Sequence, residues 1–242
     1  VWVHAGCNNP EELIRAMTRR AGELRDVEVV HLLTFGAADY AAASRMPTTY
    51  VFPHRPMSIA VLKDAAAADP TDATAHFLLG SVYLSGGMVG PAMKSWEQAR
   101  ALDPAIPTLH RNMGYALLAT GEVEKSAGIF RDGMKYDAAN VGIYAGLDQA
   151  LSRAGRPASE RADAILAYPD QKALPASLVY KLAIALAEAG RFDQAEAQFQ
   201  GRFFPREEGG INVRQIWLEV RARRAVALAA AGECPTAMTI VN

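Results

Sequence analysis

Two glycines, Gly80 and Gly114, lie 34 residues apart, and similar residue types surround both of them. The Asp-Pro pairs that contain Pro70 and Pro104 show the same spacing. A fixed period of this length is typical of stacked helix pairs, because one pair cannot bury its apolar face without a neighbour. The period therefore predicts a mainly α-helical protein with an α-α superhelix, whose expected role is to offer a surface for binding.

Helical patterning begins at about residue 57 and continues almost to the end of the chain. Small residues such as Gly80 and Ala92 fall where two helices must approach closely, and large ones such as Trp96 and Phe130 fill the space between pairs. A single helix is predicted first, and five helix pairs follow it. The predicted bounds are about 57–68 for the single helix, then about 73–102, 107–136, 141–168, 176–201 and 215–242 for the pairs.

Residues 1–40 show a different pattern, that of a β-α-β segment. A short strand ends at Gly6, and Asn9-Pro10-Glu11-Glu12 has the cap, proline and acidic residues of a helix start. The run Val27–Phe35 is rich in β-branched residues and leucine, which favours a buried parallel strand. Residues 41–56 contain Pro47, Pro53 and Pro56, and they are predicted to be a linker before a solenoid over 57–242.

Composition excludes several classes of function. The 242 residues are 50% hydrophobic and carry a net charge of -1, which gives no general attraction to nucleic acid. Cys7 and Cys234 lie far apart and form no zinc or disulfide motif, which fits a reducing compartment, so we expect a cytoplasmic protein. No apolar run is long enough to span a membrane. Residue 1 is Val and the last helical pattern has no cap, so we expect a fragment truncated at its C-terminus, and a signal peptide upstream stays open.

The best-patterned pair resembles the tetratricopeptide repeat (TPR). The residues that carry the resemblance are Leu79, Gly80, Tyr83, Ala92, Trp96, Ala99 and Pro104. The second pair also fits well, and the later pairs are more degenerate. Tyr50–Pro56 and Arg202–Gly210 resemble segments of a bacterial group in which a repeat tail follows a β-sandwich domain of unknown function. This narrower resemblance covers about 50–242, and the β-sandwich is not part of the sequence.

The first 40 residues resemble the start of the acetyl-CoA hydrolase/transferase family. The resemblance rests on His4–Cys7, Pro10–Leu13 and Leu24–Leu32. In that family the opening β-α-β unit belongs to a large α/β domain, whose catalytic glutamate and Gly-rich loop come much further along the chain. The sequence departs from the family after residue 40. The alternative function is therefore a fragment or fusion of a CoA-transferase or acetyl-CoA hydrolase with a TPR accessory region.

The TPR resemblance implies a peptide-binding groove on the first helix of each pair. The pattern that clamps a terminal carboxylate in chaperone-binding members is absent, although Arg111 and Asn112 match it in part. The alternative is that neighbouring helices or a further domain cover this surface. The mixed aromatic, aliphatic and polar lining suits a peptide. The predicted lining residues are Thr74, Phe77, Ser81, Leu84, Thr108, Arg111, Asn112, Tyr115, Leu118, Gln149, Tyr180 and Ile184.

Two other features have a functional and a structural interpretation. His76 and His110 are 34 apart, but no further ligands accompany them, so packing is favoured over a metal site. Gly86–Gly90 lacks the preceding strand and following Lys-Ser/Thr of a phosphate loop, so a turn is favoured. We predict neither a metal nor a cofactor.

Near the C-terminus, a basic cluster and an aromatic loop also have a functional and a structural interpretation. Arg214, Arg221, Arg223 and Arg224 are interpreted as a solvated helix face, paired in part with Glu219, because the chain lacks the net positive charge of a nucleic-acid binder. The loop Phe203–Gly210 could form the lip of a ligand site, but packing of Phe203 or Phe204 into the solenoid is favoured.

The sequence thus predicts a non-enzymatic scaffold that binds a protein or peptide, whose identity is open, through the concave face of a TPR solenoid. It contains no GxSxG elbow and no Cys-His signature of a nucleophilic enzyme. We expect no nucleic-acid partner and no membrane span.

Overall fold

The computed structural model describes residues 2–4, 31–33, 56–204 and 212–241. Two short strands, β1 (Trp2–His4) and β2 (His31–Leu33), pair in parallel with Trp2 opposite His31. The predicted helix between them and the predicted linker lie outside the described residues, apart from Pro56, so the β-α-β segment as a whole is not confirmed.

The remaining described residues are mainly helical. Contacts divide the chain into two compact units, residues 1–109 and 110–242. Helix α1 precedes five helix pairs, and the first unit holds α1–α3. The bounds are α1 Pro56–Ala68, α2 Ala73–Ser85, α3 Val89–Leu102, α4 Leu109–Ala119, α5 Val123–Tyr136, α6 Val141–Arg153, α7 Ala158–Leu166, α8 Ala176–Glu188, α9 Phe192–Ala197, α10 Val213–Ala230 and α11 Cys234–Val241.

The five turns inside the pairs are alike, and they define the register of the repeat. Gly87, Gly121 and Gly155 are 34 residues apart and have φ values of 75°, 83° and 66°. Gly190 and Gly232 occupy the same place in the fourth and fifth pairs, with φ of 74° and 83°. The residue that follows each glycine donates its backbone N–H to the carbonyl of the residue five positions earlier in the chain. In the first pair, Met88 donates to Tyr83 at 2.9 Å. This left-handed cap favours glycine, so equivalent positions can be counted back from each turn.

An aromatic ring placed directly on a glycine holds the first pair together. A Cβ atom on Gly80 would lie 2.5 Å from the ring of Trp96, so only glycine fits between α2 and α3 at that distance. Trp96 is fully buried, and its indole N–H donates to the carbonyl of Phe77 at 3.0 Å. Leu79 and Val82 continue the same core toward Leu62 of α1.

The second pair repeats this contact in the second unit. A Cβ on Gly114 would lie 2.5 Å from ring atoms of Phe130, which is fully buried. Gly146 of α6 lies against the same ring from the other side, so one phenyl group joins α4, α5 and α6. The hydroxyl of Ser126 donates to the carbonyl of Gly114 at 2.8 Å and satisfies a polar group in this close contact.

The third pair replaces the aromatic contact with an ionic one. Asp148 stands seven residues before the turn glycine of this pair, which is the position that Gly80 and Gly114 occupy in the first two pairs. Its side chain is buried. Its carboxylate accepts from Arg161 of α7 at 2.8 Å and from Lys181 of α8 at 3.2 Å. The ion pairs therefore join three helices of neighbouring pairs.

The charge network continues from this point toward the C-terminal helices. Arg161 also contacts Glu188 at 2.7 Å, and Glu188 lies 3.6 Å from Arg223 of α10. Arg223 in turn pairs with Glu219 at 2.7 Å. A buried charge is tolerated only when it is paired and hydrogen-bonded, and Asp148 meets that condition through two cations.

We predict that Gly114→Ala destabilises the protein, because the added methyl group would collide with Phe130. Overpacking of this kind costs about 1–3 kcal/mol in the free energy of unfolding. Gly128→Ala is the matched control, since Gly128 is an exposed residue of helix α5 and an added Cβ would have no neighbour within 4 Å. The control should gain about 0.5–1 kcal/mol. Urea unfolding followed by circular dichroism distinguishes them, and equal midpoints would contradict the prediction.

We predict that Asp148→Asn is strongly destabilising, because it leaves Arg161 and Lys181 without their shared carboxylate. Removing one partner from a buried ion pair costs on the order of 3 kcal/mol. Asp163→Asn removes a carboxylate whose side chain is 65% exposed and paired with Arg191, so it should change the free energy of unfolding by less than about 1 kcal/mol. Similar urea midpoints for both variants would show that the network contributes little.

Candidate functional site

The register of the turn glycines identifies a set of equivalent side chains on the first helices of the pairs in the second unit. We call this surface the first-helix face. It includes residues that stand two, six or ten places before a turn glycine and are at least partly exposed. Its members include Arg111, Tyr115, Ala145, Gln149, Arg153, Ile184, Glu188, Ala222 and Val226, with Lys181 beside them.

At one end of this face, Tyr115 bridges α4 and α6. Its hydroxyl donates to the carbonyl of Gly142 at 3.1 Å, and its ring meets the edge of Phe130 at 5.3 Å. The ring is nevertheless 38% exposed, so one side remains open to a ligand. The stem of Arg111 covers Gly142, whose missing Cβ would lie 2.7 Å from its Cδ atom.

The electrostatics of this end keep Tyr115 neutral. Burial raises the pKa of the Tyr115 hydroxyl above its usual value near 10, and the positive charge of Arg111 offsets part of that rise. The phenol therefore keeps its proton throughout the physiological range, donates it to Gly142 and can still accept a hydrogen bond from a ligand. Such a group suits a polar backbone better than a fixed charge would.

At the other end, a groove of about 630 Å³ runs between α8 and α10. Small or branched apolar side chains line it, including Ala187, Ala222 and Val226. Glu188 and Arg223 also line it, and they already pair with each other or with neighbouring charges. The groove is thus an apolar channel whose charged lining residues are largely compensated.

Sequence reasoning missed the α10 part of this surface. Val226 stands six places before Gly232, just as Tyr115 stands six places before Gly121, and it is 70% exposed. Ala222 stands ten places before the same glycine, in the position of Arg111. The signal was present in the turn glycine, but the interval from Gly190 to Gly232 departs from 34 and hides the correspondence.

Two predicted groove residues are buried, and the prediction is wrong for them. Leu118 is 3% exposed and belongs to the core of the second unit. Tyr180 is 8% exposed, because the ring of Phe204 stacks on it at a centroid distance of 5.7 Å. Neither ring nor aliphatic chain is available to a ligand. The other predicted residues of this unit, Arg111, Asn112, Tyr115, Gln149 and Ile184, are at least partly exposed.

The predicted residues of the first unit have mixed environments. Thr74 is exposed, and Phe77, Ser81 and Leu84 are half-buried. The hydroxyl of Ser81 is turned back to the carbonyl of Phe77 at 2.9 Å. Thr108 precedes helix α4 instead of lying on it, because its φ of 67° is incompatible with the helix, which starts at Leu109.

The histidines and the Gly-rich segment adopt structural roles. His76 is buried and its Nε2 lies 3.2 Å from the carbonyl oxygen of Pro70, while buried His110 stacks on Tyr136 at 5.3 Å. Gly86 caps α2 and Gly87 forms the turn before α3, as the turn interpretation predicts. Within the described ranges, no group of three or more His, Cys, Asp or Glu side chains is placed to hold a metal ion.

The basic cluster and the aromatic loop also pack within the chain. Arg223 pairs with Glu219 as predicted, and Arg224 contacts Asp193 at 2.8 Å and Glu196 at 3.1 Å, so both arginines are paired within the chain. Phe204 packs on Tyr180 and Phe199, which confirms the packing interpretation for one of the two phenylalanines. Phe203 is 89% exposed, and the rest of the loop lies outside the described residues. No helix in the described part of the chain could cross a membrane.

The solved structures to which this chain is similar have TPR-like folds. The chain is similar to YrrB, described as a TPR protein with an unusual peptide-binding site, with 14% identity, a TM-score of 0.53, and coverage of 74% of this chain and 88% of YrrB. It is similar to MamA with 15% identity, a TM-score of 0.53, and coverage of 80% and 98%. It is also similar to PilF of Pseudomonas aeruginosa with 14% identity, a TM-score of 0.50, and coverage of 93% and 89%.

These likenesses show a TPR-like fold for the helical part. No protein-family model matches the sequence, and no curated protein matches it significantly. Neither the β-sandwich group nor the acetyl-CoA hydrolase/transferase family has support from these comparisons.

We predict that Tyr115 ionises late in an alkaline titration. Because its folded-state pKa is raised, its contribution to stability is fully present below the unfolded value near 10 and is lost as the pH rises through the folded value. Tyr115→Phe should remove one late-ionising phenol from the ultraviolet titration at alkaline pH. Loss of an early-ionising phenol would contradict the assignment, and Tyr144→Phe, which removes another phenol with a raised pKa, is the reference.

Proposed function

We propose that this protein is a non-enzymatic scaffold that binds a protein or peptide segment on the first-helix face. The observation that carries the proposal is the groove between α8 and α10, whose apolar lining includes Ala187, Ala222 and Val226. Its α10 residues occupy the same repeat positions that hold Arg111 and Tyr115 on α4.

The chemistry of the groove suits a polypeptide ligand. Small apolar side chains allow a bound backbone to come close, and they lose little conformational entropy when they are covered. Val226 is a large apolar group left in water, and burying such a group on binding supplies the hydrophobic part of the affinity. The charged lining residues Glu188 and Arg223 are paired, so a ligand covers them without having to neutralise them.

Fold similarity adds support of a general kind. YrrB is described as having a peptide-binding site on a TPR scaffold, so the fold is compatible with this use. The alternative, a CoA-handling enzyme, depends on residues 1–40, and among the described residues only the two short strands belong to that segment.

The test begins with peptides selected on the full chain from a displayed random-peptide library. Labelled selected peptides are then titrated against wild type and Val226→Glu by fluorescence anisotropy. We predict that the glutamate lowers affinity at least about tenfold, because it places an unpaired charge in the apolar lining of the groove.

The matched control is Met238→Glu, which changes an exposed apolar residue of the second helix α11. It should leave peptide affinity unchanged, and both variants should keep the wild-type urea midpoint, since Val226 and Met238 are 70% and 59% exposed. Failure to select any peptide, or an equal loss in both variants, would overturn the proposed function.

A further inference from the structure

The arginines of the second unit differ in their partners between the second helices and the first-helix face. On the second helices, Arg131 pairs with Glu160 at 2.7 Å. At the start of another second helix, Arg191 pairs with Asp163 at 2.6 Å. These charges are therefore compensated within the chain.

On the first-helix face, two arginines contact only neutral oxygens. The guanidinium of Arg111 donates to the side-chain oxygen of Asn112 at 3.3 and 3.4 Å. The guanidinium of Arg153 donates to the backbone carbonyl of Leu118 at 3.0 Å. Within the described residues of 110–242, neither forms an ion pair with a carboxylate. Both side chains thus bring a full positive charge to this part of the face.

Two carboxylates on the neighbouring helices are already paired with other cations. Asp148 is buried and is shared by Arg161 and Lys181. Glu188 is held by Arg161 and lies close to Arg223. Arg111 and Arg153 are therefore two positive charges on the α4–α6 part of the first-helix face that no described carboxylate pairs, although the whole chain has a net charge of -1. A local excess of one sign raises the concentration of oppositely charged ligands and determines which partners are accepted.

We propose that the α4–α6 part of the first-helix face selects partner segments that carry two acidic side chains, one for Arg111 and one for Arg153. This inference rests on the proposed function and adds the chemistry of the partner to it. Guanidinium groups bind carboxylates through paired hydrogen bonds, and both arginines can exchange a weak neutral acceptor for a carboxylate.

The spacing of the two arginines limits the spacing of the acids. Arg111 lies against Gly142 at the start of α6, and Arg153 is the last residue of the same helix. Arg153 follows Gly142 by eleven positions along the helix, which corresponds to about 16 Å. An extended peptide advances about 3.3 Å per residue, so the two acidic residues are expected about five positions apart.

The probe is a fluorescent peptide with both ends blocked, built from glycine, serine and leucine with two glutamates five positions apart. A second probe has glutamine in place of both glutamates, and a third has glutamine with a free C-terminal carboxylate. Each is titrated against the full chain at low and at physiological salt. We expect the glutamate probe to bind at least about tenfold more tightly than the glutamine probe, with an affinity that falls as salt rises.

Variants of the full chain identify the arginines that read the acids. Arg111→Gln and Arg153→Gln should each weaken the glutamate probe about fivefold and leave the glutamine probe unchanged, and Arg153→Lys should restore part of the loss. Arg131→Gln is the matched control, because it removes an exposed arginine from a second helix. It should leave the binding of every probe unchanged.

Several results would overturn the inference. These are equal binding of the glutamate and glutamine probes, an equal loss in Arg131→Gln, and selective binding of the probe with the free C-terminus. If library-selected neutral peptides bind wild type, Arg111→Gln and Arg153→Gln alike, the acidic partner is wrong and the proposed function stands. If neither the probes nor any library peptide binds, both proposals fail.

Discussion

The contact between an aromatic ring and a glycine is the constraint on which the helix pairs depend. Trp96 on Gly80 and Phe130 on Gly114 bring the two helices of a pair so close that any side chain on the glycine would collide with the ring. The same phenyl group touches Gly146, so the distance within one pair and the distance to the next pair are fixed together. Because interiors are packed at the density of organic crystals, this one contact also determines which flanking side chains remain outside. Tyr115, next to Gly114, is one of them.

The third pair solves the same packing problem with charges. Asp148 occupies the position of the glycine, and its carboxylate draws Arg161 and Lys181 into contact from two other helices. Such a cluster adds less to stability than an apolar contact of similar size, but it is directional, because each charge must meet its partner. Its outer members, Glu188 and Arg223, line the groove. The internal packing of α6, α7 and α8 therefore also sets the electrostatic edge of the candidate binding surface.

The first-helix face consequently has two chemically different ends. The α8–α10 end offers apolar groups, with Val226 in water and the neighbouring charges compensated. The α4–α6 end offers Arg111 and Arg153, whose hydrogen bonds to the described residues go to neutral acceptors. A polypeptide that lies along such a face gains hydrophobic burial at one end and charge pairing at the other, and the second term discriminates among partners more than the first.

The sequence by itself determined the period, the helix pairs and the turns, because these depend on residues close together in the chain. Gly87, Gly121 and Gly155 end the first helices because the turn at each of these positions requires a left-handed residue. The period of the apolar residues indicates the helices themselves. It also indicated which helices carry the candidate surface, including the places of Arg111 and Tyr115. Tertiary structure decided which of those residue positions are exposed to solvent. Phe204 buries Tyr180 from 24 residues away, and Asp148 is accommodated only because Lys181 comes from the next pair. Contacts between distant residues obey packing and charge compensation in three dimensions, which a periodic pattern along the chain does not record.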